Sequence, residues 1–205
     1  MRALILVDLQ YDFLPGGALA VPQGDETLAV AQRLVPRFGT VVATQDWHPP
    51  DHRSFAVNHA NAAPGQVIDL DGLSQVLWPV HCVQNTRGAE LHESIDRHRV
   101  TAVFPKGTDP LVDSYSGFYD NGRRRSTGMG EWLAERGVRQ LYVLGVATDY
   151  CVKATVLDAL RLGHDVWVIE DGCRAVEREP GDGERALREM RGFGATVIHS
   201  GAIWS

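Results

Sequence analysis

Short apolar runs alternate along the chain with segments whose apolar residues recur at helical spacing. The runs carry few polar residues, which is typical of strands buried on both faces of a sheet. They predict strands at Ala3–Val7, Thr40–Thr44, Val100–Phe104, Leu141–Val146, Asp165–Ile169 and Ala195–His199. Helical spacing predicts helices at Asp25–Val35, Leu91–Asp96, Gly128–Arg136 and Gly183–Arg191, and another that begins after Thr148 and ends at Gly163. Strands separated by helices favour parallel pairing through right-handed crossovers.

Reactive side chains stand where the first four of these strands end. Asp8 ends the first strand and Asp46 follows the second, while Lys106 and Cys151 follow the third and the fourth. Ligand sites in parallel sheets lie beyond the carboxyl ends of the strands. One such residue is often only a turn or capping residue, but four complementary groups in equivalent places predict a reactive site. The long irregular stretches 45–99 and 107–130 are expected to help build it.

Composition narrows the class of protein. The chain has 205 residues, of which 44% are hydrophobic, so one soluble domain spanning residues 1–205 can bury a sizeable core. The net charge of −6 argues against a nucleic-acid surface. No apolar stretch is long enough for a membrane span or a signal peptide. The three cysteines are irregularly spaced, which argues against a disulfide framework and predicts a cytoplasmic protein. A homo-oligomer is left open.

Cys151 is the candidate nucleophile. Thr148 is a suitable N-cap, which would place Cys151 in the first turn of the following helix. Free backbone N–H groups and the helix dipole would favour a thiolate there and could hold an oxyanion. A buried cysteine that packs as a small hydrophobe fits this segment equally well.

Asp8 and Lys106 complete a covalent apparatus with Cys151. Asp8 can take the thiol proton and return it to a leaving amine. Lys106 can hold Asp8 ionised and help to lower the thiol pKa. Taken singly, Asp8 could be a hydrogen-bonded strand end and Lys106 an exposed lysine; all three together favour catalysis.

Asp46, His48 and His81 are candidate metal ligands. In an extended segment Asp46 and His48 point to the same side, and His81 lies on another loop. One carboxylate and two imidazoles suit a divalent ion with open positions. His52 could be a fourth ligand, although a role without direct ligation fits better, and Cys82 is interpreted as packing. Taken alone, the Asp46–His48 pair more often has another role, and convergence with His81 would strengthen the prediction.

Six motifs resemble one enzyme family in order and in chemistry. They are VDLQYDF at 7–13, QDWHP at 45–49, HCVQ at 81–84, PKG at 105–107, DSYSGF at 113–118 and GVATDYC at 145–151. The chain from about Leu4 to Gly172 thereby resembles the nicotinamidase/pyrazinamidase group of the isochorismatase-like cysteine hydrolases. The resemblance implies a Rossmann-like, three-layer α/β/α fold with a six-stranded, mostly parallel sheet. It also implies that Asp8, Lys106 and Cys151 form the triad.

The same resemblance implies further site residues. Asp46, His48 and His81 would bind one divalent ion per chain, expected to be zinc, with iron or manganese as alternatives. A cis peptide between Val146 and Ala147 would aim the Ala147 N–H, with that of Cys151, into an oxyanion hole. The substrate ring would lie near Phe13, Leu19, Trp78, Tyr115 and Val146, although aromatic residues there could equally be ordinary packing. Tyr11 departs from the family pattern, in which many members carry Asn.

The implied reaction is hydrolysis of a small aromatic amide. Nicotinamide would become nicotinate and ammonia through a Cys151 thioester, within NAD salvage, and pyrazinamide would react similarly. The metal would bind the ring nitrogen. Alternatives are another isochorismatase-like amidase or ureide hydrolase, and a catalytically degenerate ligand-binding module. The three metal-ligand candidates weigh against the first and the intact triad against the second, while Cys151 disfavours an isochorismatase proper.

Overall fold

The computed structural model describes residues 1–203, which contain eight β-strands and four α-helices. The strands are β1 (Arg2–Val7), β2 (Val41–Asp46), β3 (Val67–Leu70), β4 (Leu73–Val76), β5 (Ala102–Lys106), β6 (Gln140–Val146), β7 (Asp165–Arg174) and β8 (Thr196–Ile198). The helices are α1 (Glu26–Leu34), α2 (Met129–Glu135), α3 (Lys153–Arg161) and α4 (Asp182–Gly192). Each of the six strands predicted from the sequence is present, with boundaries shifted by up to five residues.

Six strands form one sheet in the order β5-β2-β1-β6-β7-β8, and every pairing in it is parallel. The chain first crosses from β1 towards β5 and then returns past β1 to add β6, β7 and β8 on the other side. Right-handed crossovers in opposite directions place helices on opposite faces, so the sheet is the middle of three layers. The direction reverses between β1 and β6, where a crevice opens at the carboxyl ends of the strands. The predicted three-layer α/β/α fold is confirmed.

Strand β1 forms the centre of the core because neighbours cover both of its edges. Leu4 pairs with Val41 of β2 on one side and with Tyr142 of β6 on the other. Side chains from Ala3 to Val7 are completely buried, as the continuous apolar run predicts. The strand therefore holds the following residue, Asp8, rigidly inside the protein.

Two local predictions are wrong. Residues 91–96 are not helical, because Leu91 pairs with Gln10 in an isolated bridge and Leu9 accepts the His92 N–H. These long-range bonds take the backbone groups that a helix would need. The stretch 45–99 is not wholly irregular, since it contains the antiparallel hairpin of β3 and β4.

Strand β7 is longer than the apolar pattern predicts and runs on to Arg174. Its pairing with β6 shifts register, so that Val143 faces Val168 while Gly145 faces Cys173. Such an irregularity inserts extra residues into one strand. The apolar pattern is interrupted there, so it does not predict that the strand continues.

Two further sequence-based expectations concern the state of the cysteines and the presence of a membrane-spanning helix. Cys82, Cys151 and Cys173 are free and buried, as the irregular spacing predicts. Within residues 1–203, no helix has the length and apolar character that crossing a bilayer requires.

Candidate active site

The four reactive side chains that follow β1, β2, β5 and β6 meet at the carboxyl edge of the sheet. These strands are direct neighbours, so their ends lie side by side. The Lys106 ammonium is at the centre: its Nζ lies 2.9 Å from Asp8 Oδ2 and donates to Asp46 Oδ1. The same Nζ donates to the Ser114 carbonyl at 3.0 Å and lies 3.4 Å from Cys151 Sγ. The structure thus brings the predicted nucleophile, base and lysine into one buried cluster.

The charges in this cluster stabilise one another away from solvent. Burial alone would lower the pKa of Lys106, but Asp46 and Asp8 hold that pKa well above its ordinary value. Burial alone would raise the pKa of Asp46, but Lys106 and His48 hold it well below its usual range. Lys106 is therefore a permanent cation and Asp46 a permanent anion.

Asp8 has a different electrostatic setting. Burial raises its pKa and the nearby Asp46 reinforces that effect, while Lys106 opposes it. Thr44 Oγ1 donates to Asp8 Oδ1 at 2.6 Å and accepts the Asp8 backbone N–H at 3.2 Å. Asp8 Oδ2 has no hydrogen bond of good geometry among the described residues despite its closeness to Lys106. A carboxylate with a raised pKa and one uncommitted oxygen is suited to accept a proton.

Cys151 lies in a π-helical turn, Thr148–Val152, that precedes α3. The helical start is where the sequence predicts it, but the Thr148 cap is wrong: Ala147 takes the capping position and no side chain makes a capping bond. The expected thiolate is also wrong for the free protein. Burial raises the pKa of the Cys151 thiol well above its ordinary value, and the opposing effect of Lys106 does not overcome it. Cys151 therefore rests as a thiol that needs a base.

The three predicted metal ligands converge on one point. Asp46 Oδ2 lies 3.6 Å from His48 Nε2 and 3.8 Å from His81 Nε2. One ligand atom from each residue can be chosen so that all lie within 4.8 Å of one another, and all three residues are buried. Convergence, which the sequence alone leaves open, is thus a property of the fold.

Hydrogen bonds on the far sides of the imidazoles prepare both rings for a metal. His48 Nδ1 lies 2.8 Å from the Gly107 carbonyl, and His81 Nδ1 lies 2.8 Å from the Pro79 carbonyl. A carbonyl only accepts, so each Nδ1 carries the proton and each Nε2 presents its lone pair. The His48 ring packs so closely on Gly107 that a Cβ there would lie 2.3 Å from its Cε1. This donor set fits a divalent ion.

His52 lies beside the three-residue group without sharing its hydrogen-bonding pattern. Its ring centroid is 4.4 Å from that of His48, and ligand atoms of His48, His52 and Asp113 also fall within 4.8 Å of one another. Its Nδ1 accepts the Ser54 backbone N–H at 3.2 Å, which leaves the proton of the neutral ring on Nε2. Burial lowers the pKa of His52 to about 4. In this tautomer His52 offers the ion no lone pair from Nε2.

A pocket of about 380 Å³ of atom-free space, part of it open to solvent, lies over the cluster. Six of its lining residues were singled out from the sequence for the pocket or the oxyanion hole: Phe13, Leu19, Trp78, Tyr115, Ala147 and Cys151. The predicted cis peptide between Val146 and Ala147 is confirmed. Val146 itself is absent from the pocket lining; its side chain is completely buried and belongs to the apolar cluster that includes Phe13 and Val21.

Four lining residues escape the sequence reasoning: Val21, Asp113, Tyr150 and Val176. Asp113 and Tyr150 belong to two of the six motifs, so the sequence does contain a signal for their role. The sequence contains no such signal for Val176, because this residue follows the part of β7 that the apolar pattern does not predict. Its backbone N–H donates to Asp149 Oδ1 at 3.0 Å, which fixes the wall to the π-helical turn. A larger open groove beside α2 contains none of the buried reactive groups.

The parallel sheet and the buried cysteine, lysine and carboxylate cluster define a cysteine-hydrolase type of site, and sequence comparison agrees with that class. Residues 2–202 match the sequence model of the Isochorismatase domain, and the chain belongs to that family. A nicotinamidase from Escherichia coli (strain K12) is 55% identical over 202 residues, which cover 96% of this chain and 93% of that protein.

Solved structures of relatives share the whole fold. A structure described as an Acinetobacter baumanii nicotinamidase and pyrazinamidase has a TM-score of 0.94 at 42% identity, covering 98% of this chain and 96% of the other. A pyrazinamidase of Pyrococcus horikoshii in complex with zinc has a TM-score of 0.79 at 38% identity, covering 97% and 98%. The zinc in that relative agrees with the divalent-ion site that the donor set here defines.

Proposed function

We propose that this protein hydrolyses nicotinamide to nicotinate and ammonia, with Cys151 as the nucleophile. One observation carries the proposal: the Cys151 sulfur lies at the floor of an aromatic pocket, in contact with a lysine that also contacts two buried carboxylates. Full-length similarity to nicotinamidases supports the choice of substrate. The cytoplasm is the proposed location, and supply of nicotinate for NAD salvage is the proposed role.

Asp8 moves the protons in both halves of the reaction. It accepts the Cys151 thiol proton as the sulfur bonds to the carboxamide carbon, and then gives that proton to the departing nitrogen, which leaves as ammonia. The product of this half is a thioester. In the second half Asp8 takes a proton from water as the water oxygen attacks the thioester carbon. The Asp8 proton returns to the Cys151 sulfur, and nicotinic acid leaves and loses its own proton to solvent, which gives nicotinate.

Lys106 keeps this sequence electrostatically feasible. In each attack the nucleophile, first the thiol and then water, gives its proton to the Asp8 carboxylate, so the negative charge moves from Asp8 to the substrate oxygen. The Lys106 ammonium lies beside both Asp8 and Cys151 and is insulated from water, so it stabilises the thiolate as it develops. We assign the oxyanion site to the backbone N–H groups of Ala147 and Cys151.

Asp46, His48 and His81 would hold a divalent ion, for which we propose zinc, with iron and manganese as alternatives. A bound ion would supply a directional ligand for the ring nitrogen of the substrate. The pocket walls do the rest of the positioning: Phe13, Trp78 and Tyr115 enclose a flat ring, and Trp78 Nε1 donates to the Tyr115 hydroxyl at 3.1 Å. Pyrazinamide has the same outline and a nitrogen at the equivalent place, so we propose it as a second substrate.

Ammonia release from nicotinamide tests the function directly. The purified protein should release one ammonia and one nicotinate per nicotinamide consumed. Treatment with a strong chelator should lower the rate, and added zinc should restore it, because the ion orients the ring. A coupled ammonia assay with chromatographic detection of nicotinate measures both products. Absence of turnover in the metal-loaded protein would refute the proposal.

Comparing benzamide with nicotinamide tests whether the ion orients the substrate ring or whether the pocket walls alone position it. It has nearly the shape of nicotinamide but lacks the ring nitrogen, so it should be a much poorer substrate. Loss of one directional ligand should cost on the order of 2–4 kcal/mol, roughly thirty- to a thousandfold in kcat/KM. The measurement is kcat/KM for both amides on the same zinc-loaded preparation. Equal values would mean that the ion acts on structure or on water instead.

A further inference from the structure

The first motif contains two polar side chains to which the proposed reaction gives no role. Gln10 is completely buried, and its amide binds both backbone polar groups of Asp46. Its Oε1 accepts the Asp46 N–H at 2.8 Å, while its Nε2 donates to the Asp46 carbonyl at 2.8 Å. The same Nε2 donates to the Ala89 carbonyl at 2.8 Å. Gln10 thereby fixes the backbone from which the Asp46 carboxylate projects.

Asp12 makes the corresponding contact to the loop of another metal-ligand candidate. Its Oδ2 accepts the Cys82 N–H at 2.7 Å, directly after His81 in the chain. Cys82 has a φ of 46°, in the left-handed region that a non-glycine residue adopts only when its surroundings hold it. The Cys82 carbonyl in turn accepts the His48 N–H at 3.0 Å. The Asp12 carboxylate therefore fixes the backbone turn at Cys82, which lies next to His81 and is hydrogen-bonded to His48.

The Asp12 carboxylate also packs directly on Gly88. A Cβ at that position would lie 2.2 Å from Asp12 Oδ2, so a side chain there would displace the carboxylate. Its Oδ1 accepts the Ala18 N–H at 3.3 Å, which ties the same side chain to the segment that carries Leu19. Asp12 is thus held in one position by contacts from three separate segments.

We propose that Gln10 and Asp12 are positioning residues for the metal site. Gln10 sets the place of the Asp46 carboxylate and Asp12 sets that of the His81 imidazole, and neither side chain touches the ion. The inference rests on the metal site of the proposed function. Partners that orient ligands from outside the coordination sphere contribute to affinity because the ligands need not be ordered when the ion arrives. The motif therefore supplies Asp8 for the reaction and two side chains for ion binding.

Zinc titration of the metal-free protein tests this role. Gln10→Met keeps the volume of the side chain but removes its hydrogen bonds, and Asp12→Ala removes the acceptor for Cys82. Each change should weaken zinc binding by about tenfold to a hundredfold, the range typical of such outer partners. The measurement is the zinc dissociation constant from calorimetry in a competing-chelator buffer, with thermal unfolding of each metal-free variant recorded alongside.

Asp171→Ala is the matched control. The Asp171 carboxylate also accepts a backbone N–H, from Ser200 at 2.7 Å, but it lies beside β8 and away from the site. It should lose stability without losing zinc affinity. The inference is overturned if Gln10→Met and Asp12→Ala bind zinc within about twofold of the wild type, or if Asp171→Ala weakens binding as much as they do. If Gln10→Met does not fold, Asp12→Ala alone decides, since its side chain is only partly buried.

Wild-type behaviour in the same experiment separates the two proposals. Wild type that binds no zinc refutes the metal site and this inference together. Wild type that binds zinc more tightly than Gln10→Met and Asp12→Ala but releases no ammonia refutes only the proposed reaction.

Discussion

Cys151→Ala should abolish ammonia release while leaving the protein folded. The substitution removes only the sulfur, so the pocket keeps its shape, but the carboxamide carbon then has no nucleophile within reach. Water would then have to attack the amide directly, and it is a weaker nucleophile than the cysteine sulfur. We expect kcat to fall by at least about 10⁴-fold. Steady-state ammonia assays with circular dichroism of the same sample measure both the loss and the fold.

The other cysteines provide matched controls for this result. Cys82→Ala and Cys173→Ala should remain active, because neither sulfur lines the pocket. Iodoacetamide followed by mass spectrometry should label Cys151 first, since its sulfur alone among the three lines the pocket and lies beside Lys106. Substantial turnover by Cys151→Ala would end the covalent mechanism.

Asp8→Asn should lower kcat by at least about a hundredfold, because general acid–base catalysis contributes roughly 10²–10⁴-fold. The change keeps the size of the side chain and can keep the hydrogen bond with Thr44, but an amide does not accept the thiol proton. Burial raises the pKa of Cys151, so without a base the thiol stays protonated at neutral pH. The measurement is kcat for nicotinamide, with zinc content determined on the same sample.

Asp171→Asn is the control for this substitution, since it removes the charge of another partly buried carboxylate far from the pocket. It should leave kcat near the wild-type value. A wild-type rate for Asp8→Asn with zinc bound would mean that another group accepts the proton.

The sequence predicts the sheet well because its strands are buried on both faces. The run from Ala3 to Val7 has one explanation in a soluble domain, and the structure places it at the centre of the sheet. Strand ends are equally informative, since the parallel arrangement brings Asp8, Asp46, Lys106 and Cys151 to one edge. The β3–β4 hairpin was missed because its burial alternates only weakly, and Val67 is half exposed.

Other features depend on contacts that no local pattern contains. Leu91 resembles the start of a helix, but its pairing with Gln10 comes from a segment about eighty residues away in the chain. The state of the Cys151 thiol was mispredicted for a related reason. A helix start favours the thiolate locally, whereas desolvation, which dominates here, depends on everything packed around the sulfur.

Asp46 connects the proposed catalytic triad and metal-ligand set, which the sequence motifs present as two separate groups of residues. Its Oδ1 accepts from Lys106, and its Oδ2 faces His48 and His81. One carboxylate therefore belongs both to the proposed reaction centre and to the proposed ion site. Replacing both histidines would leave the buried lysine with both of its carboxylate partners. Replacing Asp46 would leave it only Asp8 as a counter-charge. A single substitution at Asp46 should therefore disturb ion binding and the charge balance around Cys151 together, whereas substitutions at the imidazoles should disturb mainly ion binding.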